Sequence, residues 1–156
     1  MSRKGKGVST IIATILTISL AVVGSAVYYV AVTSYLRPQA GLSPEVEISV
    51  GASGFTIVSA QVVNTGGIPF DSLTISIAGG SSQLQITYSS LISAGGGTAA
   101  IAARGLSGGP YSPVTPDTAV SGNLAASVGA SYAVVVDGTL SNGATYSQAF
   151  SVEASP

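Results

Sequence analysis

The sequence predicts an α+β chain, in which a long N-terminal hydrophobic α-helix is followed by an antiparallel β-sandwich head. Two observations support this class. The segment from Val8 to Leu36 contains no charged residue. From Glu45 onward, apolar and polar residues alternate with the period of two that is typical of half-buried strands. Segments rich in Gly, Ser and Asn separate the alternating runs, which is the pattern of short strands joined by turns.

The uncharged N-terminal segment is long enough to cross a membrane. Its roughly 29 residues would form a helix about 44 Å long, and about 20 residues suffice for the hydrocarbon core. An ordinary secretory signal has an apolar run of only about 7–15 residues, so this segment is too long for one. Arg3, Lys4 and Lys6 precede it, which predicts an N-terminus that stays in the cytoplasm.

Small residues recur along one side of the predicted helix. They follow one another at spacings of four and three, the arrangement that lets transmembrane helices approach closely. The members of this predicted packing face are Thr10, Thr14, Thr17, Ala21 and Gly24. Gly24 precedes Ser25, and such Gly/Ser pairs are also places where helices kink, so the sequence leaves straight packing and a kink open at this point.

The far end of the helix carries the tyrosines Tyr28, Tyr29 and Tyr35. They are predicted interface aromatics, because tyrosine is enriched where a membrane-spanning helix meets the headgroups. Pro38 disfavours helical geometry at the residue before it, so the helix should end at Leu36 or Arg37. We therefore expect a helix over residues 8–37, a short joint of fixed geometry over 38–44, and the head over 45–156.

Several strands of the head are visible as alternating apolar runs. The clearest runs are Val46, Ile48 and Val50; Leu73, Ile75 and Ile77; Leu84, Ile86 and Tyr88; Tyr132, Val134 and Val136; and Tyr146, Phe150 and Val152. Another strand should begin at Phe55 and Ile57 and end near Asn64. The pair Asn142–Gly143 between the last two runs is a strong hairpin signal. A head of about 110 residues with such strands predicts an immunoglobulin-like sandwich.

Residues 93–129 are the least regular part of the sequence and are expected to be loops with short strands between them. Tyr111, which lies between two prolines, is the residue of this region expected to contact a partner.

The composition argues against catalysis and nucleic-acid binding. The chain has no Cys and no His, and only 7% of its residues are charged. It therefore lacks the usual general base, and it shows no metal, calcium-loop or phosphate-loop motif. We expect no enzyme activity, no cofactor and no metal. No basic patch is present to attract nucleic acid. So few charges also suggest that neighbouring heads bury part of each other's surface.

The N-terminal residues resemble those of archaeal type IV pilins. Lys6–Gly7 is followed directly by the apolar run that begins Val8-Ser9-Thr10-Ile11-Ile12. In that family a prepilin peptidase cuts after a glycine that follows a basic residue and leaves the helix on the mature subunit. The resemblance implies that residues 1–7 are a leader and that the cleavage site comprises Lys6, Gly7 and Val8. Bacterial type IV pilins and archaellins usually carry Glu near the fifth mature position, where this chain has Ile12.

The resemblance implies the major subunit of an adhesion-type surface filament. The subunit would be held in the membrane before assembly and would then polymerise with other copies through its helix, with the heads as an outer sheath. Its implied partners are the prepilin peptidase, a cytoplasmic assembly ATPase and a membrane platform protein. One alternative is a single-pass anchored extracellular binding domain. Two others are an archaellum subunit, which the presence of Ile12 in place of Glu argues against, and a secreted enzyme.

Overall fold

The computed structural model describes residues 5–35 and 39–156, and it describes the side chains of the helix from Thr10 to Thr33. The chain divides into two compact units, a helical N-terminal unit and a β-rich C-terminal unit. The predicted class is confirmed: one long apolar helix is followed by two antiparallel sheets that form a sandwich.

The N-terminal unit contains a single helix, α1, over Gly5–Tyr35. It covers the predicted segment from Val8 and also includes the backbone of Lys6 and Gly7, which the resemblance assigns to the leader. The helix also continues through Gly24–Ser25 without interruption. The predicted end at Leu36 or Arg37 lies outside the described residues.

The first sheet of the head, sheet A, has four antiparallel strands in the order β1-β2-β5-β6. Their bounds are β1 Leu42–Val50, β2 Phe55–Asn64, β5 Thr98–Leu106 and β6 Tyr111–Pro113. In the centre of the sheet, Ser59 lies opposite Ala102 and Ile57 opposite Arg104. On the other side of β2, Glu47 lies opposite Ser59.

The second sheet, sheet B, has five antiparallel strands in the order β7-β4-β3-β8-β9. Their bounds are β3 Phe70–Gly79, β4 Ser82–Tyr88, β7 Thr118–Gly122, β8 Ser131–Leu140 and β9 Thr145–Glu153. The predicted hairpin at Asn142–Gly143 joins β8 to β9, and Gly143 adopts a positive φ of 83° that suits glycine.

The core lies between the inner faces of the two sheets. Val58 and Val62 of sheet A and Leu73, Ile75 and Leu84 of sheet B are fully buried. Strand after strand, the buried residues alternate with exposed ones, because successive side chains point to opposite faces of a sheet. Every residue of the hydrophobic core lies between Leu42 and Ala154, so the head builds its core from its own strands.

The head begins earlier than the sequence pattern indicates. Strand β1 starts at Leu42, within the segment 38–44 that was expected to form a joint, and it includes Pro44. Proline is tolerated there because β1 is an edge strand of sheet A and needs hydrogen bonds on one side only.

The region 93–129 contains more regular structure than expected. Besides two short strands, it contains all nine residues of β5, which pairs with β2 near the centre of sheet A. The alternation in β5 is weak because alanine occupies both faces: Ala99 and Ala103 are buried, and Ala100 is exposed. Strand β8 likewise continues through Asp137–Gly138 to Leu140.

Candidate functional site

The N-terminal helix is the first candidate site, because its apolar side chains from Thr10 to Ala31 are exposed. The segment Thr10–Thr33 has a mean hydropathy of 2.2, and none of its most apolar stretch is buried. A helix that is apolar on all sides requires apolar surroundings on all sides. By length and composition this helix is a candidate membrane span; an N-terminal signal sequence would pass the same test, although this apolar run is longer than that of an ordinary secretory signal.

Several hydroxyl groups of the helix bond to its own backbone. The Thr14 hydroxyl donates to the Thr10 carbonyl oxygen at 2.9 Å, and Thr17 donates to Ala13 at 2.8 Å. Ser25 donates to the Val22 carbonyl oxygen at 2.8 Å. Such bonds to the preceding turn lower the cost of placing a hydroxyl in lipid or against another helix.

The predicted packing face is exposed and carries only small side chains. Thr14, Thr17 and Ala21 are exposed, and a Cβ added at Gly24 would meet no atom within 4 Å. Nothing within the described chain therefore requires the small residues on this side of the helix. The close approach of a second helix remains a prediction.

The other predicted residues of the helix differ in how much the structure describes. Tyr28 and Tyr29 are 72% and 69% exposed. The Tyr35 side chain lies outside the described part. The predicted cleavage residues Lys6, Gly7 and Val8 lie in the first turns of α1, where the backbone alone is described.

A second feature, which the sequence analysis did not predict as a site, lies on the outer face of sheet A. It is a hollow of about 460 Å³, whose floor is formed by the short side chains Ser59, Ala100 and Ala102. Glu45 and Glu47 of β1 stand at its rim. These two carboxylates share a face because they lie two residues apart in one strand, but the hollow itself depends on β5 lying beside β2.

Tyr111 does not form a contact surface, so that expectation was wrong. Its side chain is only 7% exposed, and its hydroxyl donates to the Leu124 carbonyl oxygen at 3.1 Å. Burial raises the pKa of the Tyr111 phenol, and the neighbouring Thr56 hydroxyl offsets this only in part. The sequence could not show this, because Leu124 approaches Tyr111 only through the pairing of the sheets.

Within the described residues, no group of three or more Asp or Glu side chains comes together in a way that could hold a metal ion. The expected absence of enzyme activity and cofactors stays a prediction.

No protein-family model matches this chain, and no curated protein matches it at a significant level.

Proposed function

We propose that this chain is the major structural subunit of an archaeal type IV pilus. In this proposal the N-terminal helix first holds the subunit in the cell membrane, with the N-terminus in the cytoplasm. Removal of residues 1–7 then frees the helix to join a bundle of identical helices in an extracellular adhesion filament, with the β-rich heads outside.

One observation carries the proposal. A basic residue and a glycine, Lys6 and Gly7, directly precede a long uncharged helix whose apolar side chains from Thr10 to Ala31 are exposed within the described chain. Lipid and a bundle of like helices are the two environments that would cover such a surface. Because both are apolar, moving between them is close to neutral in hydrophobic terms. Extraction therefore requires work from the assembly ATPase and the platform protein.

The processing step is tested at the Gly7–Val8 bond. In cells that contain a prepilin peptidase, the mature chain should begin at Val8, as measured by the intact mass and N-terminal sequence of purified filaments. Gly7→Trp should leave uncut precursor in the membrane. Gly5→Trp is the matched control, because Gly5 also follows a basic residue, and this variant should still be cut. Filaments whose subunits begin at Met1 or Ser2 would contradict the proposal.

The packing face is tested by enlarging one alanine on each side of the helix. Ala21→Trp should reduce the yield of filaments, because it separates helices that meet at small residues. Ala26→Trp makes the same change at a position about 140° away from Ala21 around the helix, so it should reduce the yield much less. Equal yields from both variants would contradict the assignment of the face.

The alternative of an anchored binding domain gives a different result in the same cells. It predicts that the full-length chain stays in the membrane and that sheared cell surfaces yield no filaments in electron micrographs. The processing experiment therefore distinguishes the two functions directly.

A further inference from the structure

The outer face of sheet A differs from the outer face of sheet B in its exposed apolar groups. In the head, the exposed large apolar side chains are Phe55, Ile57, Leu91, Leu106, Val114 and Val128. Phe55, Ile57 and Leu106 belong to strands of sheet A, and Val114 directly follows β6. None belongs to a strand of sheet B. Clustered apolar side chains on one face are typical of an interaction surface.

Three of these side chains and Arg104 form a ridge at one end of the face. Phe55 lies opposite Leu106 in the β2–β5 ladder, and Ile57 lies opposite Arg104 two residues further along. We call these four residues the ridge. Arg104 is the only Lys or Arg between residues 39 and 156, and its exposed guanidinium forms no hydrogen bond or ion pair with the described residues.

The hollow of about 460 Å³ begins where the ridge ends. The next residues along the same two strands are Ser59 and Ala102, followed by Gln61 and Ala100. The short side chains of Ser59, Ala100 and Ala102 lower the floor, while Glu45 and Glu47 stand at the rim on β1. One face thus presents an apolar ridge with a cation beside a hollow with two carboxylates.

We propose that two copies of the head bind each other face to face through the outer surface of sheet A. The ridge of each copy fills the hollow of the other, and Arg104 of each copy pairs with Glu47 or Glu45 of the other. A two-fold axis that lies in the interface, runs perpendicular to β2 and passes between the levels of Ile57 and Ser59 places each ridge over the hollow of the other copy. Arg104 then reaches across β2 towards Glu47 of that copy. Such a self-complementary contact is the usual form of a homodimer interface.

The size of the face sets the strength of this contact. Three strands of nine or ten residues and the three-residue β6, spaced about 4.8 Å apart, cover roughly 500 Å² per copy. The total of about 1,000 Å² lies just below the range of about 1,200–2,000 Å² that is typical of stable, specific protein interfaces. The contact should therefore be weak for isolated heads and strong only where many heads are aligned.

The symmetry of the pair determines where it occurs. A two-fold contact closes on itself and cannot extend a chain of subunits. Subunits that all point the same way along a filament are not related by a two-fold axis, so the pair would join the heads of neighbouring filaments. This location rests on the proposed function, whereas the pairing of isolated heads does not.

The pairing is tested with the isolated head, residues 39–156, whose hydrophobic core lies entirely within it. Sedimentation should show a monomer–dimer equilibrium that weakens as salt is added, because the ion pairs lie at the rim. Arg104→Glu and Glu47→Arg should each weaken dimerisation by about tenfold or more, since each change acts twice in the dimer. The double variant should dimerise more tightly than either single variant.

Three further variants show whether the effects are specific to the outer face of sheet A. Ala102→Trp fills the hollow and should abolish the dimer, whereas Ala133→Trp on the outer face of sheet B should leave it unchanged. Asp137→Arg, also on sheet B, is the matched control for the charge reversals. Circular dichroism of each variant checks that it is folded.

Filaments of the full chain complete the test. Arg104→Glu should convert laterally associated filaments into single ones in electron micrographs. Heads that remain monomeric in all conditions, or a double variant no tighter than the singles, would overturn the proposed contact even if filaments form. Paired heads without filaments would instead contradict the proposed function and leave the pairing in place.

Discussion

At single positions of the head, the amino acid that fits depends on which side chains the neighbouring strand or the opposite sheet brings close. Gly138 lies inside β8, opposite Leu73 of β3, and a Cβ built on it would lie 2.5 Å from the Phe70 ring. That ring is fully buried and meets Tyr146 edge-on, with centroids 6.1 Å apart. Glycine is therefore required at 138 by the close approach of an aromatic ring, and it does not form a turn.

We expect Gly138→Ala to destabilise the head by about 1–3 kcal/mol, because the added methyl group overpacks a filled site. Chemical denaturation of the isolated head measures this. Gly51→Ala is the control, since a Cβ there meets its nearest atom at an ordinary 3.4 Å. Equal stability of the Gly138→Ala and wild-type heads would show that the Phe70 ring moves aside freely.

Tyr111 gives the head a dependence on alkaline pH. Burial raises the pKa of the Tyr111 phenol above its usual value of 10.0, so the folded head retains this proton at a pH where the unfolded chain loses it. This contribution to stability is complete below about pH 10 and is lost as the pH rises through the raised pKa.

Tyr111→Phe should be less stable at neutral pH, by about 0.5–1.5 kcal/mol for the lost hydrogen bond. Its stability should also fall less between neutral and strongly alkaline pH, as measured by denaturation at each pH. A parallel fall in both proteins would contradict the assignment.

Among the elements, the C-terminal residues after β9 connect the two sheets. The Ser155 N–H donates to the Ile48 carbonyl oxygen at 2.9 Å, and the Val50 N–H donates to the Ser155 carbonyl oxygen at 2.8 Å. Ala154, only 2% exposed, bonds through its N–H to the Ala130 carbonyl oxygen. These bonds close the side of the sandwich where β1 and β9 are edge strands, and they leave fewer backbone groups for unwanted pairing with other chains.

Ser155→Pro should destabilise the head by about 1–3 kcal/mol, because it removes the donor to Ile48 and leaves that carbonyl oxygen without its partner. Ser155→Ala keeps the backbone N–H and should change stability by less than about 0.5 kcal/mol. Thermal unfolding of the two variants and the wild-type head gives the comparison. If proline is tolerated as well as alanine, the bridge to β1 contributes nothing to stability.

For the whole molecule, the helix and the head have separate physical requirements. The helix needs an apolar environment outside the described chain, whereas the head satisfies its own core. We expect the isolated head to fold cooperatively as a β-rich domain without metal or cofactor, as judged by circular dichroism and denaturation with and without a chelator. The full chain should partition into membranes. A tightly bound stoichiometric metal, or a head that unfolds without the helix, would contradict this division.

The sequence by itself determined the features that depend on neighbouring residues in the chain. The long uncharged apolar run predicts a helix from its own composition, without reference to the rest of the chain. Alternation with a period of two predicted the strands around Ile48, Ile75 and Val134. The Asn142–Gly143 turn was predictable because turn chemistry is local. Strand β1 starts at Leu42, earlier than the alternation from Glu45 indicates, because Pro44 is a breaker in most contexts but is tolerated in an edge strand.

Only the tertiary structure decided the features that depend on which distant strands become neighbours. Strand β5 was hard to predict because its alanines have little hydrophobic contrast, and its place beside β2 creates both the ridge at Arg104 and the hollow at Ala102. The same pairing of strands and sheets buries Tyr111 against Leu124 and requires glycine at 138. Such contacts join residues far apart in the sequence, so their geometry arises from packing and strand register, which no local pattern contains.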